Sequence, residues 1–537
     1  MKRRKFIRTG ALFTAPLILK GIPVSASSIL DNEMLSTMGK AAMACGKILV
    51  IVQQNGGNDG LNTIFPIDQW GNLSNARSNI LMNQNATLPL SGNATTAMHP
   101  SMTEMRNMYN NGKIMLVQGV SYPNPSYSHF RATDIWFTGS DANQYLDTGW
   151  LGRALDTIYP NFPTGYPNAT MPDPLAIQIG NTLPFSLQGP VMNMGYCTPD
   201  PSSLLNVINA VTDPAPNNDY GLELTFLRMM KDQSNSYTTA IQNAYNTTFT
   251  QTTYPSNNLL ADQLKIVAKL IYGGLQTPIY IVNHPKTHDT HENQVDAADK
   301  TLGTHADNLK ILSQAINAFQ IDLQNMGKAN KVTGMTFSEF GRRIKSNSSL
   351  GTDHGAGAPV IFFGAALNTN AASVAGTAYP VPGMIGSSPV IPATVTVNDQ
   401  VPMQFDFRQI YTTIMQDWLC MSETDANAVL GGAYTKLPIF NNTLNSITDF
   451  DTKDNNFVSV YPNPIENQNI NIGFAQAINA SLLVSIFTIN GSKLYDGTFT
   501  INDNKLSFVA SNLKASGVYI LRVTYNNNVF NKKIMVK

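Results

Sequence analysis

Five short, almost wholly apolar runs punctuate the middle of this chain: Ile48-Leu49-Val50-Ile51-Val52, Ile114-Met115-Leu116-Val117, Ile279-Tyr280-Ile281-Val282, Val332 to Phe337, and Val360-Ile361-Phe362-Phe363. Runs without polar alternation suit burial on both faces, which predicts strands of a parallel sheet. Helical patterns lie between them. The clearest extends from about His305 to Met326, with Leu309, Leu312, Ile316, Phe319 and Leu323 at steps of three and four and Gly327 as its stop. Strands alternating with helices predict an α/β domain, a mostly parallel sheet with helices on both faces. No fixed-period repeat is visible.

Polar clusters sit at the ends of these runs. Asn55-Gly56-Gly57-Asn58-Asp59-Gly60 follows the first, Ser126-Tyr127-Ser128-His129 the second, and His288-Asp289-Thr290-His291 the third. Ser338-Glu339-Phe340-Gly341-Arg342 closes the fourth, and Asp353-His354-Gly355 precedes the fifth. Ligands of open parallel sheets bind outside the carboxyl ends of the strands, so four clusters map to that edge and a loop could bring the fifth there. The chain has seven histidines, and His129, His284, His288, His291 and His354 lie in or beside the clusters. Asp59, Asp289, His291, Glu339, Asp353 and His354 are oxygen and imidazole donors suited to one or two divalent ions, Zn²⁺, Mn²⁺, Mg²⁺ or Ca²⁺. Two ions about 4 Å apart would stabilise both the attacking and the leaving oxygen of an in-line displacement.

Charged residues make up 13% of the chain, with Lys+Arg and Asp+Glu at 35 each. A neutral balance without a basic stripe argues against a nucleic-acid partner. Cys45, Cys197 and Cys420 are too far apart for a disulfide framework or a zinc spacing, and each is expected to be a small buried side chain.

The two ends carry addresses. Lys2, Arg3, Arg4 and Lys5 precede a short apolar run over Ala11 to Ile22 and a Val24-Ser25-Ala26 cleavage pattern, so residues 1–26 read as a signal peptide. Arg3-Arg4-Lys5-Phe6-Ile7 resembles a twin-arginine signal; an ordinary general-secretory signal with a chance arginine pair is the alternative. No apolar run long enough to span a membrane follows it, and the mature chain is expected to be soluble. After an expected linker over 441–456, residues 457–537 hold short alternating stretches divided by Asn490-Gly491, Asp496-Gly497 and Ser516-Gly517, which predicts a small all-β sandwich. Within it Tyr461-Pro462-Asn463-Pro464, Asn490-Gly491, Gly517-Val518-Tyr519 and the terminal Lys533-Ile534-Met535-Val536-Lys537 resemble, in that order, the type A sorting domain of the type IX secretion system.

The central domain, expected over 45–440, carries GGNDGLNT, SHFRATDIWFTG, GWLGRAL, DTHENQ, SEFGRR and GTDHGAG in that order. The series resembles the domain of unknown function 1501 family over residues 45 to 435. That family looks like a branch of the alkaline phosphatase and sulfatase superfamily, whose members hydrolyse phosphate or sulfate esters at a metal site. The resemblance implies an alkaline-phosphatase/sulfatase-like fold, with Asp59 as a first metal ligand and Asp289 and His291 holding another ion. It makes Glu339 the replacement for an aspartate, with Phe340 where a histidine is usual. His354 completes the site, and Asp353 can supply the missing donor. Ser128 is the nucleophile the resemblance implies, with Ser126 as a substitute, in a catalytic group with His129 and Arg131. Ser128 could instead simply cap the following helix. Arg131 or Arg342 could clamp an anionic ester or make a structural ion pair.

Three functions remain open at this point. The first is an exported metal-dependent hydrolase of phosphate or sulfate esters, acting on a small-molecule or polysaccharide ester at the cell surface or beyond. The second is a non-catalytic surface binding or scaffold protein with the same fold. The third is a phosphomutase-like transferase, which makes little sense outside the cell. The expected partners are the twin-arginine or general translocon and the type IX machinery, with the periplasm crossed in transit.

Overall fold

The computed structural model describes residues 46–205, 215, 218–369, 381–441 and, short gaps aside, 458–536. Residues 1–26, Cys45, nearly all of 441–456, Asn490-Gly491 and Lys537 lie outside the described residues. Two compact units divide after Phe440.

The first unit is built on one large sheet. Its strands are β1 (Ile48–Gln53), β2 (Ile114–Ser121), β3 (Ala176–Ile179), β4 (Tyr196–Thr198), β5 (Ile279–Asn283) and β6 (Val332–Phe337). A hairpin of β7 (Gly341–Ser346) and β8 (Thr352–Gly355) comes next, and then β9 (Ala358–Gly364), β10 (Met384–Ile385) and β11 (Phe405–Asp406). The sheet runs β10-β2-β9-β6-β1-β5-β3-β4, with β11 also on β2. The pairs of β1 with β5 and β6, of β3 with β4 and β5, and of β2 with β10 and β11 are all parallel. This is the expected mostly parallel sheet.

The run Val360–Phe363 departs from expectation: β9 is antiparallel to both β2 and β6. Its connection from β6 is the reason. A parallel return needs a long crossover, usually a helix, whereas the hairpin β7–β8, with three residues before it and two after it, simply turns the chain back. The start of β9 therefore lies at the edge where β2 and β6 end.

Burial on both faces follows from the alternation within β1. Leu49 and Ile51 enter one apolar cluster and Val50 and Val52 the other, all at most 4% exposed. Helices α1 (His129–Thr138), α2 (Trp150–Ile158) and α6 (Phe407–Thr413) cover the first face. Helices α3 (Asp219–Asn246), α4 (Leu259–Tyr272) and α5 (Thr304–Asn325) cover the second. The stripe Leu309, Leu312, Ile316, Phe319 and Leu323 is wholly buried on α5, and Gly327 follows its end at φ +68°. Fully burying such a side chain stabilises by roughly 1.5–3 kcal/mol.

The cysteines differ from expectation. Cys420 is disulfide-bonded; Cys197 is free and half-buried, so the partner of Cys420 lies outside the described residues. Two cysteines far apart in sequence can meet once the fold joins them, which spacing does not reveal.

In the second unit every strand-to-strand pairing is antiparallel, among β12 (Val458–Tyr461), β13 (Asn469–Thr488), β14 (Lys493–Val509), β15 (Gly517–Tyr525) and β16 (Asn528–Val536). The long strand β13 pairs with β12 along its first part and β15 along its last. The sheet has its own core of Val458, Ile472, Val484, Leu521, Val523 and Ile534.

Candidate metal centre

The carboxyl ends of β1, β2, β5 and β6 share one edge, and the chain leaves each with a polar segment. After β1, Gly56 sits at φ +112° and an added Cβ would fall 2.4 Å from the Asp289 amide nitrogen. Only glycine lets the loop lie this close to the segment after β5. The Gly56 amide donates to Glu339 Oε1 (2.8 Å), and those of Gly57 and Asn58 donate to Ser338 Oγ (3.1 and 3.0 Å). Arg342, 1% exposed, ties the segments together. Its Nε donates to Gly57 O (2.8 Å), its Nη1 to Thr352 O (2.8 Å), and its Nη2 to the Gly56 carbonyl, His288 O (3.1 Å) and Asp289 Oδ1 (2.6 Å). Across the hairpin Arg342 pairs with His354, which brings that imidazole to the same place.

His129, Asp289 and His354 offer ligand atoms that all lie within 4.8 Å of one another. His129 Nε2 is 3.4 Å from Asp289 Oδ2, and Asp289 Oδ1 is 3.2 Å from His354 Nε2. His291 completes the cluster, its Nε2 lying 3.1 Å from Asp289 Oδ1 and 2.8 Å from His354 Nε2. Each histidine is held from behind. Nδ1 of His129 is 2.8 Å from Glu339 Oε1, Nδ1 of His291 3.1 Å from Asp353 Oδ1, and Nδ1 of His354 2.8 Å from the Tyr127 carbonyl. The Phe340 ring packs against His129 and His354, with centroids 4.9 and 4.6 Å away.

The electrostatics favour a cation. Burial pushes the Asp289 carboxyl up, but the Arg342 hydrogen bond and charge, with His354 and His291, outweigh it and hold it at about 2. Burial also acts on Asp353, and hydrogen bonds from His291 and Asn347 bring it below the usual carboxylate range. The Glu339 hydrogen bond raises His129, while burial lowers His354. Ionised carboxylates facing imidazole nitrogens form a donor set for a divalent ion of borderline softness.

The structure thus brings together Asp289, His291, Glu339, Asp353, His354 and His129. Asp59 stands apart. Its carboxylate, 1% exposed, accepts two hydrogen bonds from Arg77 Nη1 (3.0 and 2.9 Å) and one from Gln294 Nε2 (2.6 Å). Burial raises its pKa, and the charges of Arg77 and His305 with the Gln294 hydrogen bond bring it below its ordinary value. Arg131 is also taken up: it pairs with Asp134, donates to the carbonyls of Asp141, Ala142 and Gln144, and lies 4.0 Å over the Tyr145 ring. Ser128 is exposed at the N-cap of α1 without a side-chain capping bond, and Ser126 Oγ accepts from its amide (3.3 Å). His284 and His288 are buried in the interior. Arg77 lies at no strand end and in no motif, and Gln294 closes the DTHENQ stretch as a neutral amide beside stronger donors, so neither stood out in the sequence; only the fold carries them to Asp59.

Two family models match the chain, one on either side of Phe440. Residues 459–537 match the family model described as "Secretion system C-terminal sorting domain". The C-terminal unit is a secretion sorting domain. It implies export to the cell surface or beyond, and among the described residues no helix is long and apolar enough to cross a membrane. Residues 224–431 match the model described as "Protein of unknown function (DUF1501)", a shorter span than the motif order covers. No curated protein matches. Among solved structures, the dimeric latent PorU of Porphyromonas gingivalis aligns at 14% identity over 15% of this chain, with a TM-score of 0.12; this chain spans only 9% of it. The PsFucS1 sulfatase of Pseudoalteromonas sp. aligns at 10% identity over 89% of this chain and 88% of its own, with a TM-score of 0.31. An alkaline phosphatase superfamily protein of Vibrio parahaemolyticus aligns at 7% identity over 89% and 88%, with a TM-score of 0.29.

Proposed function

We propose that this protein is an exported, metal-dependent hydrolase of phosphate or sulfate esters. One observation carries the reading: the donors of His129, Asp289 and His354 lie within 4.8 Å of one another, at the sheet edge where such folds bind ligands. A divalent ion held there supplies a Lewis acid for an ester oxygen and acidifies a bound water. Arg342 keeps Asp289 ionised and fixes its orientation. The loop after β1 and the Phe340 ring wall the site on one side. Ser128, exposed one residue before His129, is the side chain we assign as nucleophile. The route is a twin-arginine-like signal into the periplasm and the type IX machinery across the outer membrane.

A binding protein without turnover is the second reading, and the arginines favour it. Arg131 and Arg342 are both engaged by carbonyls and carboxylates, which leaves neither to clamp an anionic ester. A screen of aryl phosphate and aryl sulfate esters with the full chain, loaded with divalent ions, separates the two. Hydrolysis abolished by His354→Ala and cut at least 100-fold by Ser128→Ala is the expected result. Bound metal with no turnover on either ester class would sink the hydrolase and leave the binding protein.

A further inference from the structure

The three imidazoles of the cluster share one arrangement. Each presents Nδ1 to an oxygen that can only accept: the Glu339 carboxylate, the Asp353 carboxylate or the Tyr127 carbonyl. Such an acceptor keeps the proton on Nδ1 and leaves the lone pair on Nε2. The three Nε2 atoms then converge on Asp289. His291 Nε2 and His354 Nε2 face each other at 2.8 Å, where two lone pairs repel unless a cation lies against both. His129 Nε2 is buried and has no hydrogen-bond partner.

Charge points the same way. The hydrogen-bonded groups of the cluster are three carboxylates (Asp289, Glu339 and Asp353) and one guanidinium, Arg342. Arg343 also acts on Asp353 and donates Nε to His354 O (3.2 Å), yet the carboxylates still outnumber the guanidinium groups, an excess that a divalent cation offsets. Three nitrogens and one carboxylate suit zinc and its neighbours, while magnesium and calcium take oxygen donors. With Asp59 given over to Arg77 and Gln294, the described residues hold a single group of this kind.

We propose that the site takes one ion of the zinc class, bound by Nε2 of His129, His291 and His354 and by the Asp289 carboxylate. Glu339 and Asp353 do not bind it. They are positioning residues that fix the tautomer and the direction of His129 and His291. This deepens the hydrolase reading and rests on it for the purpose of the ion, but not for its presence.

The test measures metal content and chelator-competition affinity on the full chain, stripped and then reloaded with zinc, magnesium or calcium. One zinc per chain is expected, retained against a large excess of magnesium and calcium. His129→Ala and His291→Ala should lose the ion. Glu339→Gln and Asp353→Asn should keep one ion per chain with affinity about 10–100-fold lower. Thermal unfolding of each stripped variant shows that the fold persists, so that a lost ion reports on the site. Two ions per chain, preference for calcium or magnesium, or no ion (a proton shared by His291 and His354 instead) would overturn the assignment. So would Glu339→Gln that loses the ion as fully as His129→Ala, or that binds it as tightly as the unaltered chain. Zinc bound in this manner without ester turnover refutes the hydrolase alone, and turnover with two ions refutes this proposal alone.

Discussion

Replacing Asp59 distinguishes a structural ion pair from a metal ligand. In the folded chain its two oxygens take two hydrogen bonds from Arg77 and one from Gln294, with both charged side chains fully buried. Arg77 also donates Nε to Ile344 O (2.9 Å), Nη1 to Asn62 Oδ1 (3.0 Å) and Nη2 to Arg343 O (2.7 Å), so it cannot swing out to solvent cheaply. Asp59→Ala therefore strands a buried guanidinium, a change worth roughly 3–5 kcal/mol, and orphans a Gln294 donor, worth about 1–3 kcal/mol more if nothing relaxes. Since neighbouring effects are not additive, about 4 kcal/mol is a fair expectation. The four tryptophans, Trp70, Trp136, Trp150 and Trp418, all lie before residue 441, so their fluorescence in urea follows the first unit alone. A loss of this size lowers the urea midpoint by about 1 M or more. Asp59→Ala combined with Arg77→Met should recover much of it, because no charge is then left unpaired. The pH dependence supplies a further check. The Asp59 carboxyl is held below its ordinary value when folded, so its contribution is complete above about pH 3.9 and is lost as pH falls through the folded value. The gap between native and Asp59→Ala chains should close in acid. Metal content should be unaltered in the folded variant. A native-like urea midpoint together with a lost ion would refute the ion-pair account and make Asp59 a ligand.

Gly56→Ala should abolish metal binding and lower the thermal midpoint, since the added Cβ would sit 2.4 Å from the Asp289 nitrogen at φ +112°; metal content unchanged in this variant would contradict the packing of the two loops. His305 is fully buried and held near 4 by burial, despite the Asp59 charge. As pH falls from about 6.5 to 4 the unfolded chain takes up a proton the folded one refuses, and stability should drop by up to roughly 3 kcal/mol; urea midpoints for His305→Gln should show a shallower acid slope. A chain ended after Phe440 should keep the tryptophan-reported unfolding midpoint of the first unit but remain in the periplasm. Appearance of that shortened chain at the cell surface, read by fractionation, would remove the role assigned to the sorting domain.

The strands were legible because their signal is local. Five apolar runs became β1, β2, β5, β6 and β9, and the stripe on α5 matched its periodicity to within a residue at either end. The direction of β9 was not legible, because direction is set by what the connection does and the hairpin β7–β8 had no apolar pattern to mark it. The short strands β3 and β4 were missed for a related reason: Ala176–Ile179 and Tyr196–Thr198 are too brief to separate from loop without their neighbours.

Within the site, sequence position could say which residues reach the carboxyl edge, but not which way each side chain turns once there. Asp59 and Glu339 both follow strands of the same sheet, on β1 and β6. The Asp59 carboxylate turns inward because Arg77 is buried beneath it at 2.9 Å. Glu339 turns toward the cluster, because the Gly56 amide and His129 Nδ1 each lie 2.8 Å from its Oε1. Neither outcome is encoded near the carboxylate itself: one depends on a residue 18 positions away and the other on one 283 positions away. A donor atom is committed by its partners, and those partners are assembled only by the fold. Residue type therefore pointed to candidate metal ligands from the sequence, while which donor atoms face one another and which groups hold the imidazoles had to come from hydrogen-bond geometry.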